Sequence, residues 1–304
     1  MLGGVGFAVS VALSAGAVGF WTLLAALVIG NPAVGAFVSL AQATLMDLAP
    51  AERERNMASW TLAGSFGYVG GPVLLAAALW GGLGWRAAVA GLAALAIPLT
   101  VAASRTPRIA PTQTLSLGES LRAALAALHR RDVVRWLATL EAADLLLDVF
   151  HGFLAFYLVD VAHLDPRAAA IGVAVWTGAG LAGDWLLLHV LRRVDGLRYL
   201  RLTATAALAC YPAFLLAERT DVKLALVAVL GVLNAGWYAI PKARLYGALD
   251  GRSGVAVAVG GVGGFVGSAV PLVLGLVAEA VGLGPTMWLL LLAPVGLLAG
   301  ASGR

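Results

Sequence analysis

Ten apolar stretches of membrane-spanning length occupy most of this chain and leave little room for any fold except a bundle of membrane helices. A helix needs about 20 mostly apolar residues to cross the hydrocarbon core of a bilayer. Only 12% of the residues are charged, whereas soluble domains carry roughly 25%. We therefore predict an all-α, multi-pass membrane protein with spans at residues 3–22, 25–47, 56–80, 86–103, 133–158, 167–191, 200–217, 222–243, 254–279 and 285–302.

Basic residues are concentrated in alternate loops, and this asymmetry predicts the orientation. Of the 20 lysines and arginines, all but four follow an even-numbered predicted span. Cytoplasmic loops of membrane proteins are enriched in lysine and arginine. We therefore expect both termini in the cytoplasm and the protein in the plasma (cytoplasmic) membrane, which is the inner membrane of a two-membrane cell. We expect no cleavable signal peptide, because the first predicted span has no basic leader before it.

A polar connection over residues 105–132 divides the predicted spans into groups of four and six. Ser116 and Glu119 have the spacing of a capping box, and leucines recur at helical spacing after them. We predict a cytoplasmic linker whose short amphipathic helix lies on the membrane surface. It would separate a helical bundle over residues 1–104 from a six-helix bundle over residues 133–304.

Four titratable residues recur on one face of the fifth predicted span: Glu141, Asp144, Asp148 and His151. Their spacings of three, four and three residues place them within an arc of about 80° on an α-helix. A charged group at the bilayer centre costs at least about 2.5–3.5 kcal/mol, so this face must meet water or polar partners. We predict a transport cavity here, with Asp144 and Asp148 as proton-binding groups and Glu141 and His151 as auxiliary ones.

These residues also allow structural interpretations. Some could reach water near the membrane ends, and Asp144 and Asp148 could be neutralised by a basic partner elsewhere in the chain. Glu141 could pair with Arg131 or Arg135, and His151 could be a hydrogen-bonded core histidine. No lysine or arginine occurs in the middle of any predicted span, so the sequence offers the acids no internal cation. This favours a cavity that accepts a proton or a cationic substrate.

Four short motifs lie at helix ends and in one glycine-rich helix. They are Asp47-Leu-Ala-Pro50 with Arg53 and Arg55, Gly67-Tyr-Val-Gly-Gly71-Pro72, Gly84-Trp85-Arg86, and the loop Arg192-Arg193-Val-Asp-Gly196-Leu-Arg198. In this order and spacing they resemble motifs of the major facilitator superfamily. The glycine-proline run is similar to a signature of that family's fifth helix, which is associated with antiporters. Val73 and Leu74 stand after the proline, where the family usually has further glycines.

The resemblance implies a fold of two helical bundles that rock around a central cavity. The family normally has twelve helices, and on this mapping the chain begins at the third, giving an incomplete bundle of four spans and a complete one of six. A weak internal repeat pairs Gly64–Pro72 with Gly263–Pro271. The titratable stripe then falls on the family's seventh helix, which lines the cavity.

Further cavity residues follow from the same mapping. Asn234, Trp237 and Tyr238 have i, i+3, i+4 spacing on the eighth predicted span and should share a face. Asn31 on the second span and Asp184 on the sixth add polar groups. Aromatic side chains are also common interfacial anchors, and Asp184 could instead contact a neighbouring helix.

Two more sets of residues receive structural roles. Gly67, Gly71 and Pro72 should act through helix packing, because small residues four apart let helices approach closely. We expect a cytoplasmic gate in which Asp47 contacts Arg53 or Arg55. The residues assigned to this gate are Asp47, Arg53, Arg55, Arg192 and Arg193.

Together these features predict a secondary active transporter, in the form of a proton-coupled exporter (antiporter) of a small organic molecule. A proton-linked metabolite importer would use the same features with opposite coupling, and a truncated, non-transporting membrane protein is a third interpretation. No nucleophile elbow, metal-ligand set or phosphate loop is visible, so we expect no enzyme activity, metal or cofactor. The expected partners are the lipid bilayer, protons and the substrate, with no nucleic acid, and we expect a monomer.

Overall fold

The fold is helical throughout the part of the chain that the structure describes. This computed structural model describes residues 2–105, 117–249 and 253–302, and no β-strand occurs in these ranges. Eight helical segments within them are long and apolar enough to cross a membrane, as predicted for this class. They cover Phe20–Asp47, Pro50–Trp80, Gly84–Ala103, Arg131–Val161, Pro166–Val190, Gly196–Leu216, Gly254–Val281 and Leu283–Ser302.

The first part of the chain contains five apolar helices and one amphipathic helix. In chain order these are α1 (Leu2–Ala15), α2 (Phe20–Val34), α3 (Leu40–Leu48), α4 (Arg53–Trp80), α5 (Gly84–Arg105) and α6 (Leu117–Ala127). A π-helical turn at Gly35–Ser39 joins α2 to α3, so that both belong to one long span. A 3-10 turn at Pro50–Glu52 leads into α4.

The second part contains ten helices, several of which are joined end to end. They are α7 (Arg131–Asp144), α8 (Phe150–Phe156), α9 (Pro166–Val190), α10 (Gly196–Leu216), α11 (Thr220–Leu233), α12 (Ala239–Ala248), α13 (Ser253–Gly267), α14 (Ala269–Val281), α15 (Leu283–Met287) and α16 (Leu292–Ser302). A π-helical turn at Leu145–Val149 joins α7 to α8, and a second one at Tyr157–Val161 follows α8.

The predicted count of ten spans is not confirmed, because two of the predicted segments are not continuous helices of membrane length. The first, α1, has 14 residues and is about 21 Å long at 1.5 Å per residue. The eighth is interrupted at residues 234–238, between α11 and α12. Gly236 has φ +81° there, in the left-handed region that glycine adopts without strain, so a right-handed helix cannot continue through it.

A large apolar core holds the second part together. Phe150 lies at its centre, edge-on to Trp176, Tyr211 and Phe214. Lys223 on α11 is only 3% exposed and donates to the Phe214 carbonyl at 2.8 Å. Buried lysines need such partners, because an unpaired charge in a low-dielectric interior is costly.

A second buried cluster joins the two parts of the chain at one end of the molecule. Met46 and Met57 from the first part pack in it with Trp136, Leu187 and Tyr246 from the second. This is the end that carries the basic loops. The two parts are therefore packed together at that end.

The amphipathic helix α6 lies beside this cluster and packs against α13. Ala124 and Ala127 are buried on its inner side, whereas Leu121 and Leu125 are exposed on its outer side. An exposed row of leucines suits a helix at a membrane surface. Ser116 of the predicted capping box lies outside the described residues.

Helices α9 and α11 cross with their backbones in close contact. A Cβ atom added at Gly231 would lie 2.9 Å from the Trp176 carbonyl oxygen and 2.9 Å from the Ala179 Cβ. A Cβ added at Gly183 would lie 3.0 Å from the Val232 carbonyl oxygen. Side chains cannot be accommodated at such distances without movement, so the two glycines permit this crossing.

Candidate functional site

A cavity of about 350 Å³ lies between the two parts of the chain. Its walls come from α4, from the segment 144–151, from α9, and from the interrupted region 231–238. Cavities of roughly 300–1,000 Å³ hold small ligands in proteins, so this one is at the small end of that range.

The titratable stripe supplies one wall. Asp144, Asp148 and His151 line the cavity, and the π-helical turn that joins α7 to α8 contains Asp148. Turns of this kind are frequent at functional sites. Glu141 does not line the cavity, because its carboxylate lies against the backbone of Gly267 on α13. The structure therefore brings three of the four residues together and places the fourth at a helix-packing contact.

Asp184 forms a direct link between the two parts of the chain. It is buried on α9, lines the cavity, and accepts a hydrogen bond of 2.5 Å from the Ser65 hydroxyl on α4. The sequence allowed two roles for Asp184, as a cavity residue or as a contact to a neighbouring helix, and the structure shows both.

Helix α4 contributes a wall that the sequence analysis missed. Thr61, Ser65 and Tyr68 line the cavity, with Trp60 beside them. The i, i+4, i+7 spacing places the first three on one face of an otherwise apolar helix, where they form a polar stripe. The same helical periodicity that identified the acid stripe could have identified this one. Tyr68 stands opposite His151, with 6.3 Å between their ring centroids.

The interrupted region between α11 and α12 presents an unpaired amide to the cavity. Asn234 lines the cavity and is only 4% exposed. Neither its side-chain nitrogen nor its side-chain oxygen has a hydrogen-bond partner among the residues that the structure describes. Buried polar groups are normally hydrogen-bonded, so this side chain lacks two partners that a bound molecule or water could supply.

The prediction that Asn234, Trp237 and Tyr238 share one face holds only in part. Tyr238 lines the cavity and accepts a hydrogen bond of 3.2 Å from Gln42. Trp237 is fully buried elsewhere and donates to the Thr203 hydroxyl at 3.0 Å. The turn at residues 234–238 breaks the helical periodicity on which the prediction rested.

Asn31 was also predicted to face the cavity, and the structure places it elsewhere. It is an exposed residue of α2 and does not contribute to the cavity wall. The Asn31 side chain therefore lies on an outer surface of the protein, away from the carboxylates of the cavity.

The cavity wall carries three carboxylates, on Asp144, Asp148 and Asp184, and no lysine or arginine contributes to it in the described part of the chain. A cation does lie nearby, contrary to the prediction from the sequence. Lys242 on α12 is close enough to attract both Glu141 and Asp144 electrostatically. Asp148 instead has the imidazole of His151 as its electrostatic partner.

An ionic bridge joins the two parts of the chain at the basic-loop end, and it differs from the predicted gate. The Arg244 Nε lies 2.6 Å from a Glu54 carboxylate oxygen, and its guanidinium also lies 3.4 Å from Asp195. Glu54 belongs to α4, whereas Asp195 caps the start of α10. This bridge therefore connects elements on opposite sides of the cavity.

The predicted gate residues lie near this bridge but make other contacts. Arg55 pairs with Glu52 at 3.5 Å, and Arg53 donates to the Met46 carbonyl at 3.3 Å. Asp47 therefore pairs with neither arginine, and its Oδ1 has no hydrogen-bond partner within the described ranges. Arg192 and Arg193 are exposed in the turn between α9 and α10.

Replacing Arg244 by alanine is expected to loosen the basic-loop end. Partly exposed ion pairs contribute up to about 1 kcal/mol, so the population separated at this end should rise up to about fivefold. Spin labels at Arg55→Cys and Arg193→Cys, in a Cys210→Ser background, would report the distance between the two parts. Arg219→Ala is the matched control, since Arg219 pairs with Asp221 on one helix end. Identical distance distributions in Arg244→Ala and the control would refute this role.

The glycine-proline signature on α4 begins at Gly67, directly before the cavity-lining Tyr68, and continues away from the basic-loop end to Pro72. A Cβ atom added at Gly67 or Gly71 would meet no atom within 4 Å in the described structure. Pro72 is exposed. The close helix approach that was predicted for this signature is therefore absent from the conformation seen here.

These features define a membrane protein of the transporter class: helices of spanning length, two parts joined at one end, and a polar cavity between them. Residues 1–270 match the Major Facilitator Superfamily, and the chain belongs to that family. No curated protein matches the chain significantly.

Solved structures with the same fold include several transporters. The transporter FucP in its outward conformation superposes with a TM-score of 0.78 at 16% identity, covering 99% of this chain and 81% of that one. A variant of the E. coli fucose:proton symporter FucP gives 0.75 at 15% identity, covering 99% and 82%. A bacterial homologue of the iron transporter ferroportin in an outward-facing state gives 0.63 at 16% identity, covering 98% and 80%.

Proposed function

We infer that this protein is a proton-coupled secondary transporter that exports a small organic molecule by antiport. The observation that carries the proposal is the group of three carboxylates on the wall of a small cavity between the two parts of the chain. In the proposed cycle, Asp144 and Asp148 take up protons when the cavity opens to one side and release them when it opens to the other.

Physical chemistry supports this role for the acids. Burial in a low-dielectric site favours the neutral form of a carboxylic acid, and a neighbouring carboxylate favours it further. Asp144 and Asp148 are one helical turn apart and repel one another when both are ionised. The pair can therefore hold one proton in one conformation and lose it when water or a cation reaches the cavity.

The arrangement of contacts supports alternating access. The apolar cluster around Met57 and the bridge from Glu54 to Arg244 join the two parts at the basic-loop end. If this end is cytoplasmic, as the positive-inside rule predicts, the conformation seen here is closed to the cytoplasm. Rocking of one part against the other would break these contacts and open the cavity to that side.

The test uses the full chain in liposomes that contain a pH-sensitive dye. Candidate compounds of cationic, neutral and anionic character are added, their flux is followed by mass spectrometry, and internal pH is followed by the dye. We expect at least one compound to move together with a protein-dependent pH change, whose sign distinguishes export by antiport from proton-linked import. A compound transported at the same rate with and without a pH gradient would overturn proton coupling.

Gly71→Leu is expected to stop transport without destabilising the protein. The position is open in this conformation, so the leucine should be tolerated here. In the proposed cycle the two parts of the chain close together at the end opposite the basic loops, towards which this half of α4 extends. The added leucine side chain would block that approach. Thermal unfolding and liposome flux would be measured in parallel with Val73→Leu, a neighbouring exposed position on the same helix. Normal flux in Gly71→Leu would show that the signature does not take part in closure.

A further inference from the structure

The cavity has the chemistry of a cation-binding site with aromatic walls. Asp148 and Asp184 present carboxylates to the cavity, and four aromatic side chains line the same cavity. The rings belong to Trp60, Tyr68, Trp176 and Tyr238. Aromatic faces attract ammonium groups. A wall of one charge sign also concentrates counter-ions of the opposite sign.

A second, independent observation points to a bound molecule. Asn234 is 4% exposed and faces the cavity, and neither its side-chain Nδ2 nor its side-chain Oδ1 has a hydrogen-bond partner in the part of the chain that the structure describes. The helix is interrupted at this residue, so the surrounding turn holds the side chain on the wall. A ligand with a donor and an acceptor close together would complete it.

We propose that the substrate is a small organic ammonium compound that also carries a hydroxyl or amide group, which Asp148 binds through its charge and Asn234 through hydrogen bonds. This rests on the proposed function, since the same carboxylate serves as a proton site there. The cavity volume of about 350 Å³ limits the ligand to a small molecule. The aromatic rings would hold its cationic end.

The proposal accounts for antiport by competition. When an ammonium ion reaches protonated Asp148, the carboxyl group gives its proton to water and the resulting carboxylate pairs with the ammonium ion. One positive charge enters the site and one leaves it, so charge and atoms balance. The groups that surround this exchange are Asp144 and His151 on the same span, Tyr68 on α4, Asp184 on α9, Tyr238 in the turn before α12, and Lys242 on α12. Lys242 attracts Asp144, whereas Asp148 has no lysine partner among its electrostatic contacts.

The test is binding to the purified full chain, without any gradient. Tyramine and choline serve as ammonium probes, para-ethylphenol and dimethylbutanol are their uncharged counterparts, and para-hydroxyphenylacetate is an anionic one. Thermal stabilisation measures binding, and a dye in weak buffer measures proton release. We expect at least one ammonium probe to raise the melting temperature and release protons, with its uncharged counterpart at least tenfold weaker.

Two variants localise the binding. Asn234→Ala should weaken the ammonium probe about tenfold, whereas Asn31→Ala, an exposed asparagine outside the cavity, should leave affinity unchanged. No stabilisation by either ammonium probe, or equal stabilisation by charged and uncharged partners, would overturn the substrate class even if proton-coupled flux is found. Binding of an ammonium probe without proton release would instead sustain the substrate class and count against the proposed coupling.

Discussion

Asp148→Asn is expected to reduce gradient-driven transport to the level of protein-free liposomes. Asparagine keeps the size and polarity of aspartate but cannot exchange a proton, so a coupled cycle cannot proceed through it. Asp148 lies in the π-helical turn at the cavity wall, with His151 as its electrostatic partner. Flux under an imposed pH gradient is the measurement, with the amount of folded protein in each liposome preparation as the reference.

The controls separate a proton-binding role from a structural one. Asp148→Glu retains a carboxyl group and should keep part of the flux, whereas Asp144→Asn should also be strongly impaired. Glu141→Gln is the matched control on the same span, because Glu141 packs against α13 and does not line the cavity. Gradient-driven flux equal to wild type in Asp148→Asn would remove this residue from the mechanism.

Gly231→Leu is expected to destabilise the protein more than any other single change considered above. A side chain at this position would clash sterically with the Trp176 carbonyl oxygen and the Ala179 side chain, both of which belong to α9. Overpacking typically costs about 1–3 kcal/mol, and a leucine against backbone should reach the upper value. We expect a melting temperature lower by roughly 6–12 °C, given about 2–4 °C for each kcal/mol in a domain of this size.

A matched substitution on the partner helix provides the reference. Gly178 on α9 is exposed, and a Cβ atom added there would meet nothing within 4 Å in the described structure. Gly178→Leu should therefore melt within a few degrees of wild type. Equal melting temperatures for the two variants, measured in the same detergent, would show that the crossing of α9 and α11 does not depend on a bare backbone at Gly231.

Local pattern was sufficient for eight of the ten predicted membrane helices and for most of the acid stripe. Hydropathy over windows of span length reflects a strong physical constraint, since every backbone polar group in lipid must be satisfied within the helix. The placement of Asp144, Asp148 and His151 followed from helical spacing alone. Glu141 departed from the group because α13 packs against its part of α7, and that packing depends on residues more than a hundred positions away.

The break in the eighth predicted span could not be recognised from local pattern. Asn234 to Tyr238 contains no proline, and one glycine in an apolar run is tolerated in helices. The turn is stabilised by tertiary contacts, including the hydrogen bond from Trp237 to Thr203. The link between Ser65 and Asp184 likewise joins helices that are far apart in sequence. Such contacts depend on the assembled bundle, so neither residue's neighbours in sequence reveal them.

In the proposed cycle, protonation of the cavity carboxylates governs the movement of one part of the chain against the other. Spin labels at Trp80→Cys and Arg167→Cys, in a Cys210→Ser background, would report the separation at the end opposite the basic loops, by double electron–electron resonance across a pH series. We predict that acidification shifts the distance distribution in the otherwise wild-type protein, and that Asp144→Asn combined with Asp148→Asn abolishes the shift. A distribution that is independent of pH in the parent protein, or the same pH-dependent shift in the double variant, would rule out this coupling between protonation and movement.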